Sequence, residues 1–595
     1  MNKQSKIRYD LNEAIQYILE PGSESELSDL ELSSDEEDDN NPFLVTRIND
    51  EISICEEEQC MTADILLEDE INIEFTTPDK PNTNEKTSSS TLPKPITHNY
   101  KWCNKRPPIR DTTFSGCEFS LPPNNVDTFT PLIYFQMFWK DTLFTLLAEQ
   151  TNLCSVQISS KSVNVTETEL KQFIAIQMYM SIFKLPAYYM YWSTETRYPK
   201  IADLMSLSRY KKIREFLHAA DNSRLNDPVN KHNKIYKIAP VLDHVRQNCL
   251  SIEPETGHSI DEQIIPAKTR YSGIRQYNPK KPVKWGFKNF VRSGISGIIY
   301  DFFLYTGAAA IGSEKCNGSY VVKRLLESLP KNKNFKLCFD NWFCSLDLCL
   351  HLNKLGILTT ATIRNDRMQG CCLPTESEMR KKGRGSHAYK CDINSGIIIT
   401  RWYDNKCVNL CSTYCDPDSI SDVKRWNRTE KNFVNINCPL VVKEYNQCMG
   451  GVDLCDMLIS LYRTNIKTKR WYIKILFHCI DICKVNGWLI YRRHCNQLNI
   501  AKKKQLTLLQ FTTQIASSLS YAEKPLVAVG KQSKRKLCKD VTPQKRKNSI
   551  PLPNKDIQLD CLNHWPEHRE KKLNCRLCKV GNSRIFCKKC NICLC

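Results

Sequence analysis

Tyr445-Asn446-Gln447-Cys448-Met449-Gly450-Gly451-Val452-Asp453-Leu454-Cys455-Asp456 is the stretch around which the rest of the chain is organised. Its two glycines let the backbone turn tightly, and the residues after Val452 carry a 3.6-residue period that predicts a helix. On that helix Asp453 and Asp456 fall one turn apart on one face, where a carboxylate pair can hold a hard cation. A lone D-x-x-D is more often a solvated first turn beside the positive end of the helix dipole, so the reading turns on acids elsewhere in the chain.

Two further aspartates have a suitable setting. Asp261 lies in His258-Ser259-Ile260-Asp261-Glu262-Gln263, an alternating strand in which Ile260 and Glu262 point away from the face of Asp261. Asp340 follows the apolar strand Phe335 to Phe339 and precedes Asn341-Trp342-Phe343. In an open α/β sheet, ligands bind beyond the carboxyl ends of strands. Phosphodiester cleavage calls for such a set, because hard oxygens must hold two divalent cations about 3.5 to 4 Å apart. Taken singly, each aspartate is equally well a cap or a salt-bridge partner.

The pattern around these acids is mixed. From Val126 to about Ile252 the apolar spacing is helical, with one helix expected over Phe129 to Leu147 and a capping box at Thr166 to Glu169 opening Leu170 to Phe183. Ser208 is expected to cap a helix running through Leu217, and Tyr236 to Leu250 makes another. His258 to Ile265, Lys288 to Val291, Gly297 to Tyr305 and Phe335 to Phe339 then read as strands, and Leu346 to Leu355 as a helix. The order implies an α/β core. A β-rich piece over 373–433 looks like an insertion, and a long helix is expected from about Arg470 to Arg493.

Charge is divided unevenly. Of a net +19 over 595 residues, residues 1–90 carry 24 Asp and Glu against 6 Lys and Arg, or −18, which leaves +37 on the remainder. The acidic, weakly hydrophobic arm is expected to be disordered through about residue 125, while the basic remainder suits a polyanion, through phosphate neutralisation and counterion release. Lys280, Lys281, Lys284, Arg364, Arg367, Arg463, Lys467, Lys469 and Arg470, near the acidic motifs, are candidates to neutralise DNA phosphates. Such contacts position DNA without reading it. Neither a signal peptide nor an apolar run long enough to span a bilayer is read, so an intracellular protein with no membrane association is expected. Lys534-Arg535-Lys536 and Lys545-Arg546-Lys547, in a linker over 531–555, have the form of a bipartite nuclear import signal, so the nucleus is the expected location.

Seven of the 30 cysteines fall in the last 35 residues: Cys561, Cys575, Cys578, Cys587, Cys590, Cys593 and Cys595, with His564 and His568 among them. Two C-x-x-C pairs in so short a segment predict zinc, since a domain of this size does not fold on its apolar core alone. Spacing leaves the pairing open.

The motifs Ser259 to Gln263, Tyr277 to Lys288, Phe339-Asp340-Asn341-Trp342-Phe343 and Tyr445 to Asp456, in this order, resemble the piggyBac family of transposases and their domesticated derivatives, over about 126–500 and again in the tail. The resemblance implies an RNase H-like catalytic core over 254–372 and 434–456, interrupted by the 373–433 insertion. It is flanked by a helical dimerisation and DNA-binding domain split between 126–253 and 457–530, with a Cys-rich zinc domain over 556–595. By similarity Asp261, Asp340, Asp453 and Asp456 hold and assist two Mg²⁺ ions. DNA is then excised through nicked and hairpin intermediates and inserted at TTAA by a homodimer acting on double-stranded transposon ends. Trp471 stacks on DNA in this picture; a core aromatic at the start of a helix is the competing reading. The tail stops at Cys595, where the family continues with another Cys and His. Either His564 and His568 complete a second site, or Cys575, Cys578, Cys587 and Cys590 form a single four-thiolate site, or the tail is truncated. A non-cutting, piggyBac-derived regulator of chromatin or transcription is the alternative function.

Overall fold

The computed structural model describes residues 98–107, 110–116, 129–268, 272–279, 283–307, 317–427, 431–521, 564–576, 578 and 581–594. The expected acidic arm up to residue 97 and the basic linker lie outside them. All the architecture below lies in the segment Tyr100–Cys595, which belongs to one compact unit.

Ten strands form one mixed sheet: β1 (Trp102–Cys103), β2 (Gly257–Pro266), β3 (Arg275–Tyr277), β4 (Trp285–Gly294), β5 (Ile299–Leu304), β6 (Lys336–Phe339), β7 (Leu358–Thr362), β8 (His387–Asp392), β9 (Ile398–Tyr403) and β10 (Cys407–Ser412). Their order is β1-β8-β9-β10-β7-β6-β2-β4-β3, with β5 also paired to β4. β2, β6 and β7 run parallel, and β4 and β5 are antiparallel additions on one side. Parallel neighbours need crossovers, and the helices Gly318–Leu325 and Leu346–Lys354 precede and follow β6 in the chain.

The alternation of side chains divides the core between the two faces of the sheet. Ile260, Phe290, Leu337 and Phe339 join Val322, Leu325, Leu348 and Leu352 of those helices. Ile265, Phe287 and Val291 point into a second core, shared with helices that precede β2 and others that follow residue 439 in the chain. In that core Trp471–Gln497 and Leu508–Tyr521 pack among Pro131–Gln136, Asp141–Ser159, Glu167–Ile182, Leu207–Phe216 and Ala239–Leu250, so two distant chain segments build one helical body. Among the described residues no helix is long and apolar enough to cross a membrane.

Three local expectations are corrected. The helix expected over Phe129 to Leu147 is two, Pro131–Gln136 and Asp141–Ser159, with extended backbone at Lys140 (φ −70°, ψ 159°) between them. The break lets both Phe138 and Trp139 be fully buried. Ser206, not Ser208, caps the Leu207–Phe216 helix, accepting the Arg209 N–H. The disorder expected through about residue 125 does not hold over the described residues 98–107 and 110–116: β1 pairs with β8, Trp102 Nε1 donates to the Gln369 carbonyl at 3.0 Å, and Phe114 packs edge-on against Phe335 at 4.9 Å.

The 373–433 stretch is not a separate domain. β10 pairs along the edge of β7, satisfying backbone groups that an edge strand leaves open, and β9 and β8 extend the sheet outward. Only the hairpin β11 (Ile420–Asn427) and β12 (Asn432–Pro439) forms its own ribbon. A second hairpin, β13 (Pro566–Asn574) and β14 (Asn582–Cys587), lies in the tail. The capping box at Thr166 forms as expected, with its threonine and Glu169 exchanging hydrogen bonds.

Candidate active site

Parallel registry puts two acids side by side. Gly257, His258, Ser259 and Ile260 of β2 pair with Lys336, Leu337, Cys338 and Phe339 of β6, so the next step of the register brings Asp261 opposite Asp340. Ile260 and Phe339 both face the core with the crossover helices, so the two aspartates share the other face of the sheet. β7 continues the row: Phe339 pairs with Ala361, and the next residue, Thr362, donates its hydroxyl to Asp340 Oδ1 at 3.0 Å. The Asn341 amide also donates to Asp340 Oδ1, and the Glu262 amide to Asp261 Oδ1 at 2.7 Å, so each carboxylate is held by the backbone N–H of the residue that follows it.

Asp453 and Asp456 lie on the helix Gly451–Leu461, as the periodicity predicts, and that helix packs against the same face. Its start is pressed onto β2 and β4. A β-carbon at Gly451 would overlap the Gly294 carbonyl oxygen and come within 2.6 Å of Ser293 Oγ and 2.9 Å of Ser259 Oγ. Asp456 Oδ1 accepts from Gln263 Nε2 at 2.6 Å, which ties the helix to the strand that carries Asp261. Asp453 is exposed in the first turn.

The preceding helix, Leu440–Met449, covers the strand ends with Tyr445. Burial pushes the Tyr445 phenol up, and the negative charges of Asp340 and Asp261 push it further, while a hydrogen bond with Thr362 pulls the other way. Both aspartates therefore act on one hydroxyl. Among the described residues, no three carboxylates have oxygens that all lie within 4.8 Å of one another. The four aspartates offer hard carboxylate oxygens, the donor type that Mg²⁺ takes.

The basic candidates fall into two groups. Lys284 and Lys469 are exposed, and Arg364, also exposed, donates through Nε to Asn341 Oδ1 at 3.0 Å. Arg367 and Arg470 hold structure: Arg367 Nη1 donates to the carbonyls of Asn341, Trp342 and Cys344, pinning the loop after Asp340. Arg470 donates to the carbonyls of Arg214, Glu215 and Leu217 at the end of the Leu207–Phe216 helix. Lys467 is exposed and donates to the Pro186 carbonyl at 3.3 Å. Arg463 is half-buried, and its charge adds to burial in lowering the His478 imidazole to about 3. Trp471 opens its helix half-buried, 6.2 Å from Phe287. Lys280 and Lys281 lie outside the described residues.

In the tail, His564 Nδ1 lies 3.3 Å from Cys587 Sγ and 3.5 Å from Cys590 Sγ. Tetrahedral zinc with bonds of about 2.3 Å to sulfur and 2.0 Å to nitrogen separates such ligands by roughly 3.5 Å. This is the one metal-compatible group of three among the described residues, and it contains neither His568, exposed on β13, nor the other C-x-x-C pair. Cys575 Sγ accepts the Cys578 amide at 3.4 Å and Cys578 Sγ the Gly581 amide at 3.3 Å, while Cys593 Sγ donates to the Leu573 and Ser583 carbonyls. Cys561 and Cys595 lie outside the described residues.

Gln263, Asn289, His478, Thr362 and Tyr445 take part in the site without having been singled out from sequence for these contacts. Gln263 was within reach, since alternation places it on the face of Asp261 two residues on. Asn289 and His478 carry no sequence signal, because tertiary packing alone brings them to Gln263.

A family model described as Transposase IS4 matches residues 130–488. The chain is 28% identical over 486 residues to human PiggyBac transposable element-derived protein 3, covering 80% of this chain and 77% of that protein. Human PiggyBac transposable element-derived protein 2 is 25% identical over 457 residues, covering 76% and 72%. In fold the chain is similar to a piggyBac transposase solved by cryo-EM as a synaptic complex with hairpin DNA, with a TM-score of 0.56 at 19% identity, over 80% of this chain and 98% of that one.

Proposed function

This chain belongs to the Transposase IS4 family, in its piggyBac branch, and on that premise we propose that it is a nuclear DNA transposase that cuts and rejoins DNA by metal-dependent phosphoryl transfer. The observation that carries the proposal is the registry of Asp261 with Asp340 on adjacent parallel strands, beneath the helix of Asp453 and Asp456. The strand order β5-β4-β2-β6-β7, with β4 antiparallel to three parallel strands, supports an RNase H-like core.

In this reading Asp261 and Asp340 face the scissile phosphate from the sheet, and Asp453 and Asp456 close over it from the helix. Divalent cations bound there would activate the attacking hydroxyl and stabilise the leaving oxygen. Lys284, Arg364 and Lys469 would neutralise flanking phosphates, and two copies of the chain would hold two ends of double-stranded DNA bearing TTAA. The tail would carry zinc on His564, Cys587 and Cys590 with a fourth ligand, a structural role that fits its small apolar core.

A second reading, a non-cutting DNA binder derived from a transposase, draws support from the two human relatives, whose names mark them as element-derived. One assay separates the two. The full chain is incubated with TTAA-capped hairpin DNA and Mg²⁺ or Mn²⁺. Hairpin opening that Asp340→Asn abolishes, with DNA affinity unchanged, supports the transposase; binding without opening in either metal supports the second reading.

A further inference from the structure

Beneath Asp456 three polar side chains are buried where an apolar seam would pack at lower cost. Gln263 is fully buried, Asn289 is 1% exposed and His478 5%. They form a directed chain. Gln263 Oε1 lies 2.7 Å from His478 Nε2 and accepts from Asn289 Nδ2 at 3.2 Å, and Gln263 Nε2 donates to Asp456 Oδ1 at 2.6 Å. Buried polar groups are costly unless they satisfy one another, so such a chain needs a reason.

The chemistry of the partners fixes the direction. Turning the Gln263 amide over would set its oxygen against a carboxylate and its NH₂ against the Asn289 NH₂. With the amide as it stands, His478 must carry its proton on Nε2 to donate to Oε1. His478 Nδ1 has no hydrogen-bond partner, so the imidazole spends its one donor on Gln263. The Gln263 N–H then has one acceptor within reach, the carboxylate.

We propose that His478 and Asn289, through Gln263, are positioning residues that fix the Asp456 carboxylate for metal binding. All three side chains are buried, away from the surface that DNA would meet. They act by removing the rotational freedom of Asp456, as hydrogen-bonded partners of metal ligands do elsewhere, where their loss typically costs about 10- to 100-fold in metal affinity or activity. The inference rests on the assignment of Asp456 as a metal ligand.

The test uses the full chain with TTAA-capped hairpin DNA and Mn²⁺, reading both turnover and the Mn²⁺ midpoint of a thermal shift. Gln263→Met and His478→Phe remove the donors while keeping bulk. Each is expected to raise the Mn²⁺ midpoint about tenfold or more and to lower turnover, with DNA affinity unchanged, and His478→Gln, which restores an N–H, is expected to recover most of the loss. A merely structural role would lower melting temperature without moving the midpoint. If Gln263→Met and His478→Phe keep the wild-type midpoint, the positioning role is overturned and the transposase reading stands. If the wild type binds Mn²⁺ without opening DNA, and Gln263→Met weakens that binding, positioning stands and the transposase reading falls. A wild type that binds no Mn²⁺ overturns both.

Discussion

The backbone at Gly451 rests directly on the Gly294 carbonyl, leaving no room between helix and sheet for a side chain. Gly294 ends the strand paired to β2, so this contact sets how far Asp453 and Asp456 stand from Asp261. Gly451→Ala would force the helix start away from β4. Overpacking of this kind costs typically about 1 to 3 kcal/mol, and the expected outcome is a lower melting temperature together with a loss of hairpin opening larger than the loss of stability explains. Gly450→Ala, at a position where a β-carbon meets nothing within 4 Å, is the matched control and should leave both near wild type.

Arg364 and Arg367 are three residues apart and should fail differently. Arg367 spends Nη1 on three carbonyls of the loop after Asp340, so Arg367→Ala is expected to destabilise the fold and lower turnover with little change in the salt dependence of DNA binding. Arg364 is exposed, with its Nε on Asn341. Arg364→Ala is expected to leave the melting temperature unchanged and to reduce the slope of log affinity against log salt by about one, as the loss of a phosphate contact does. Binding isotherms at several salt concentrations and thermal melts decide both.

Much of the frame was legible because it is local. Alternation in β2 placed Asp261 on a strand, the apolar run of β6 placed Asp340 just past the end of one, and helical period placed Asp453 with Asp456. The edge of the sheet was not legible: β8 to β10 read as an insertion because pairing of β10 with β7 joins residues about fifty apart, and nothing in either strand announces its partner. The break before Asp141 was hidden for a related reason. Phe138 and Trp139 continue a helical apolar period, and only the packing of both into one core bends the chain at Lys140. In the tail, spacing alone could not choose among ligand sets; the β13–β14 hairpin is what brings His564 to Cys587 and Cys590.

Acid should unfold the protein through its buried imidazoles. Burial, then the charge of Arg463, lowers His478 to about 3; burial, then Arg470 and Lys237, lowers His218 to about 4. In the unfolded chain both titrate near their ordinary 6.5. Below that pH the unfolded state binds protons that the folded state refuses, so stability falls as pH drops from about 6.5 toward 4. Melting temperatures across this window should decline, and the decline should be shallower in His218→Asn. A slope that this variant leaves unchanged would remove His218 from the account.

Zinc in the tail should depend on His564 and not on His568. His564 Nδ1 stands 3.3 and 3.5 Å from two thiol sulfurs, the separations of ligands around one tetrahedral ion, whereas His568 is exposed on β13 opposite Ile585. Metal released from the purified full chain by thiol modification, measured with a colorimetric chelator, should therefore fall by about one equivalent in His564→Ala and in Cys590→Ser. His568→Ala should release the wild-type amount. Because the ligands sit on a short hairpin with few buried apolar side chains, loss of the ion should also expose the tail to protease while the sheet and helical body, whose cores are built from other residues, keep their melting temperature. Equal zinc content in His564→Ala and wild type would move the site to another set of tail ligands.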